Sequence, residues 1–139
     1  MAGNIDPERA QFEAFKALPR DTPINMINLV KLRDEASYED GTKTTGLEAY
    51  TTYGKASGPI FQRVGGTIIW RGEPKLVLIG PSDEAWDIAF IARYPNAGAF
   101  MEMVTDPEYR KAVKHRQAAV LDSRLIRCEE VAGSSTEFG

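Results

Sequence analysis

The chain has 139 residues, 42% of them hydrophobic and 27% charged, with a formal net charge of −3. That length suits one domain with a core able to stand without disulfides or metals, and mild acidity argues against nucleic-acid binding. No run approaches the roughly 18 apolar residues of a membrane span, and the single Cys128 excludes an internal disulfide and fits a reducing cytoplasm.

In chain order, Asn4, Asp6 and Glu8 stand where a basic then apolar leader would be, so no signal peptide is expected. Asp6-Pro7 is a helix start signal: the carboxylate accepts free amide hydrogen bonds and proline suits the first helical position. An extra helix over 6–18 should turn Phe12, Phe15 and Leu18 inward and end before Pro19. Ile24–Arg33 then reads as a strand, with Met26, Asn28, Val30 and Leu32 on one face and Ile27, Leu29 and Lys31 on the other. Asn28 is an amide in an aliphatic row. It either bonds neighbouring backbone or lines a pocket.

The acids of Asp34–Thr45 lack calcium-loop spacing and read as solvated surface. Thr45–Glu48 is a capping box, and the helix it opens puts Tyr50, Tyr53, Ile60, Phe61 and Val64 on one face. Pro59 should kink that helix and Gly65-Gly66 should end it. Thr67–Arg71 and Lys75–Gly80 are expected to form a hairpin about Gly72-Glu73-Pro74. Trp86–Tyr94 should follow as a strand with Trp86, Ile88, Phe90, Ala92 and Tyr94 on one face. Asn96 can cap a short helix.

Asp106-Pro107 repeats the start signal and opens a helix with Tyr109, Ala112, Val113, Arg116, Ala119 and Val120 on one face, leading into a strand over Leu121–Arg127. Arg116 is the cation on that apolar face. Between Arg110 and Arg127 six cations face the single acid Asp122, which reads either as a solvated face or as a field for a small anion. The core is expected over 22–130, with 131–139 a loose tail.

Set in order, and with the hairpin counted as one bent strand, these elements give an α+β fold, the ferredoxin-like βαββαβ unit with an extra N-terminal helix and an antiparallel sheet. The sheet face away from the helices is rich in aliphatics, so a second copy is its economical cover.

MINLVKLRDEASYEDG, GGTIIWRGEPKLVLIG and WDIAFIARYPNAGAFMEMVTDPEYRKAVKHRQAAVLDSRLI resemble the family catalogued as domain of unknown function 1330, within the dimeric α/β-barrel superfamily. The double glycine, Tyr94-Pro95 and the DPEY…R helix carry the likeness over about Ile24 to Leu125. It implies two sheets packed face to face in a homodimer, with a cleft between helices and sheet in each subunit. Some superfamily members degrade haem using a histidine on the last helix. The alignment places Val113 rather than His115 at that position, and no cofactor is expected.

Gly-rich phosphate loops, paired cysteines and a nucleophile elbow are missing, and one histidine and one cysteine cannot make an ordinary zinc site. What remains is a set of rings and cations suited to a flat organic acid. Arg116 would anchor the anion, Asn28 would polarise it, and Tyr50 or Asp87 would act as acid or base. Tyr53, Trp70, Trp86 and His115 would complete the binding surface. Alternatively, the rings are core and Arg116 pairs with Glu48 or Asp87. Three functions fit: a cofactor-independent monooxygenase- or isomerase-like enzyme on a small aromatic or carboxylic metabolite, a non-catalytic binding dimer, or an interaction protein with a filled cleft.

Overall fold

The computed structural model describes residues 3–131 and 138, so the expected tail falls almost wholly outside the described residues. The elements in order are α1 (Arg9–Ala17), β1 (Ile24–Leu32), α2 (Gly46–Arg63), β2 (Thr67–Gly72), β3 (Ile88–Tyr94), α3 (Ala97–Thr105), α4 (Pro107–Ala119) and β4 (Val120–Cys128). The strands make one antiparallel sheet in the order β2-β3-β1-β4, the ferredoxin-like arrangement.

Helix starts follow local chemistry. Thr45 accepts from the Glu48 amide at 3.0 Å, Asn96 from the Ala99 amide at 2.8 Å and Asp106 from the Glu108 amide at 2.7 Å, as the sequence predicts. Asp6-Pro7 does not start α1. Glu8 is the cap there, in a reciprocal box with Gln11, and Asp6 instead receives the Gln117 amide. Pro59 does not interrupt α2, which runs unbroken to Arg63 and ends at Gly65, whose φ of 90° suits glycine.

Two core clusters fill the space between helices and sheet. At one end Ile24, Met26, Ala92 and Tyr94 pack under Ile60, Val64, Phe100, Met103 and Tyr109. At the other, Val30 packs with Ala49, Ala119 and Val120. Arg127 fastens α1 to the sheet by bonding the Pro19 carbonyl at 2.7 Å and stacking on Phe15. The sheet's opposite face carries Ile27, Leu29, Ile91 and Ile126, paired across neighbouring strands, with no helix over it.

Around β2 the structure departs from the sequence reading and adds a feature to it. First, Lys75–Gly80 is not a strand. Residues 73–87 form an irregular arm on which Leu76, Leu78 and Ile79 are 80%, 85% and 93% exposed, and β3 begins at Ile88 rather than Trp86. A strand needs a neighbouring edge to bond, and this arm has none within the chain. Second, the β2–β3 register shifts between Ile68 and Trp70. One extra residue in a strand reverses the facing of everything after it. Trp70 therefore turns to the open face, and Arg71, opposite Phe90, turns toward the helices.

Candidate functional site

Between the two core clusters lies a cleft of about 2050 Å³, floored by the sheet and roofed by α1, α2 and α4. One row of residues crosses its floor from strand to strand: Arg71, Phe90, Asn28 and Leu125. Asn28 donates to the Met26 carbonyl at 3.1 Å, a local bond that uses one of its two amide hydrogens. Its side chain also lines the cleft, so both sequence readings of Asn28 hold at once.

The roof supplies Tyr50 and Tyr53 from α2 and Val113 and Arg116 from α4. Tyr50 and Tyr53 stand three residues apart on one helix face, with ring centres 5.5 Å apart. The Tyr53 hydroxyl is bonded to that of Tyr109 at 2.8 Å, whereas the Tyr50 hydroxyl has no protein partner among the described residues. Burial raises the Tyr50 pKa well above its ordinary value, the neighbouring Tyr53 adds to the rise, and Arg116 and Arg71 oppose it. Tyr50 thus keeps its proton at neutral pH and has it available to donate.

Arg116 pairs with neither Glu48 nor Asp87. It donates to the Ile5 carbonyl and, at 3.1 Å, to the Ser123 hydroxyl, and Ser123 in turn donates to the Asn4 carbonyl at 2.7 Å. The guanidinium therefore holds the N-terminal segment against β4 while keeping its charge without a carboxylate partner among the described residues. Asp87 lies at the cleft rim, where its carboxylate accepts from the Leu32 amide at 2.7 Å.

The other three expected ligand residues do not line the cleft. Trp70 is 54% exposed on the open face because of the bulge. Trp86 stacks with Arg124, whose guanidinium lies 5.3 Å from the ring centre. His115 meets the Tyr38 hydroxyl through Nδ1 at 2.6 Å and pins the 33–45 loop to α4. With Val113 in the cleft and His115 outside it, no histidine is placed to ligate haem, and the residues do not fit that group. Among the described residues no three metal-binding side chains cluster.

Sequence reasoning missed Arg71, Ser123 and the N-terminal wall from Asn4 to Glu8. The signal for Arg71 was present: Ile68, Ile69 and Trp70 are three consecutive apolar residues, a break in alternation that a bulge accommodates.

Residues 41–128 match the family described as Domain of unknown function (DUF1330). The chain belongs to this family. The DUF1330 chain is 55% identical to the RPA0582 protein of unknown function from Rhodopseudomonas palustris, over 95% of its own length and 100% of that chain, with a TM-score of 0.90. A crystal structure of methylated RPA0582 protein gives 56% identity, 95% and 98% coverage and a TM-score of 0.92. A protein from Bacteroides fragilis, described as dimeric with a ferredoxin-like fold, is 21% identical over 81% of this chain and 100% of its own, with a TM-score of 0.49. No curated protein matches. Among the described residues of this DUF1330 chain no helix is long and apolar enough to cross a membrane.

Proposed function

We propose that this DUF1330 protein binds a small, flat organic acid in the cleft, as a homodimer whose subunits meet through the open sheet faces. The observation that carries the reading is the partly buried Arg116 guanidinium, which has no carboxylate partner among the described residues and lies close to the unpartnered Tyr50 hydroxyl. A cation and a neutral donor on an aromatic and aliphatic wall match a carboxylate attached to a ring or an unsaturated skeleton. The homodimer is supported by the bare aliphatic face and by the exposed Leu76, Leu78 and Ile79 of the arm, which a second copy would cover.

Binding is favoured over acid–base catalysis because the two residues expected to act as acid or base are ill placed to be a base. Tyr50 is held protonated, and Asp87 is engaged by a strand amide at the rim. A catalytic reading keeps one supporting observation: Asn28 and Tyr50 are two neutral donors able to polarise a carbonyl, as an isomerase-like reaction would need.

Native mass spectrometry of protein purified without added ligand tests both parts of the proposal. A dimer mass with an excess matching a carboxylic acid is expected. An empty monomer would remove the reading, since the open face would then have no cover and the cleft no occupant.

A further inference from the structure

Resting on that reading, we infer that the preferred ligand is a dianion, a short dicarboxylate lying across the sheet with one carboxylate at Arg116 and the other at Arg71. The two guanidiniums stand at opposite ends of one floor. Arg71 leans over Phe90, its guanidinium 5.9 Å from the ring centre, and Arg116 is held at Ser123. From Phe90 to Ser123 is two strands across and two residues along, so the charges are roughly 12 Å apart by ordinary strand spacing. A carboxylate docked on each leaves room between them for a benzene ring or a short aliphatic chain.

Position gives the inference its force, since Arg9, Arg20, Arg33 and Arg110 also meet no carboxylate among the described residues but do not flank Tyr50. Arg63, Arg93, Arg124 and Arg127 each meet a carboxylate. Arg71 and Arg116, which flank Tyr50, meet none among the described residues. The acids that line the cleft each have another partner: Glu73 has Lys75, Asp87 the Leu32 amide, Asp6 the Gln117 amide and Glu8 the start of α1. A bound monoanion engages one guanidinium, whereas a dianion engages both, the partly buried Arg116 and the more exposed Arg71 on the edge strand. Between the charges, Phe90 and Leu125 offer an apolar bed for the skeleton, with Asn28 between them.

The test is calorimetric titration of the full chain, at fixed ionic strength, with terephthalate, its half-amide and benzoate, and with adipate and hexanoate. Terephthalate and adipate should bind about tenfold or more tighter than their monoanionic counterparts. Arg71→Gln should abolish most of that advantage, with a much smaller loss for benzoate and hexanoate. Arg71 has no hydrogen bond or ion pair to protein among the described residues, so this variant leaves the fold's bonds intact. Equal binding of mono- and dianions, or an equal loss of both in Arg71→Gln, overturns the dianion inference and leaves the organic-acid site standing. If no acid binds, both fall together.

Discussion

On the helix-covered face of the sheet, Arg71, Asn28 and Ser123 stand among Ile88, Phe90 and Leu125. On the bare face, Ile27, Leu29, Ile91 and Ile126 stand together beside Trp70. A covered face is ordinarily the apolar one, and here the usual assignment is partly inverted. Each anomaly points outward from the chain: the partly buried Arg116 guanidinium over Ser123 calls for an anion, and a bare aliphatic sheet calls for another sheet. On the proposed reading the two faces answer to two different partners, a small molecule and a second copy.

The largest effect should come from charging the bare face. Ile91 sits between Ile27 and Trp70 at its centre, so Ile91→Glu should turn a dimer into a monomer in size exclusion with light scattering. A dimer that survives unchanged would move the interface elsewhere, and the comparison of faces would lose its outer half.

A smaller effect tests the covered side. Burial raises the pKa of Tyr50, Tyr94 and Tyr109, with the neighbouring Tyr53 adding to each rise. In the unfolded chain these phenols ionise near the ordinary value of about 10, so below it their contribution to stability is fully present. Above it the unfolded state releases protons that the folded state retains, and stability falls as pH climbs. The melting temperature should drop steeply above pH about 10, and Tyr109→Phe should flatten that slope. An unaltered slope in Tyr109→Phe would show that this phenol does not carry the alkaline sensitivity.

The smallest effect separates the cleft from its surroundings. His115→Ala removes the bond to Tyr38 and should cost about 1 kcal/mol in thermal or urea unfolding, with acid binding untouched. Binding weakened along with stability would bring His115 back into the site.

Most of the fold was legible because its signals are local. Thr45, Asn96 and Asp106 cap their helices through bonds spanning two or three residues. Arg116 could be singled out because a charge on an apolar helix face is visible in spacing alone. The failures share a cause in distant contacts. Asp6-Pro7 and Asp106-Pro107 are the same dipeptide, yet Asp6 is drawn to Gln117 across the fold while Glu8 caps the helix. The apolar run Lys75–Gly80 has a strand's composition without a strand's neighbour. Trp70 and Trp86 were attractive as rings, and only register and packing show them turned away from the cleft.

The extra residue at Ile68–Trp70 has an evolutionary consequence. Deletion of the one extra residue would leave Trp70 and Arg71 on their present sides, whereas substitutions that abolish the bulge and keep the residue count would set Ile69 opposite Ile91 and exchange Trp70 with Arg71 between the two sides of the sheet. The cleft would lose its second cation and gain an indole, while the outer surface would gain a charge at its aliphatic centre. On the proposed reading, ligand preference and self-association are joined in this chain at one bulge.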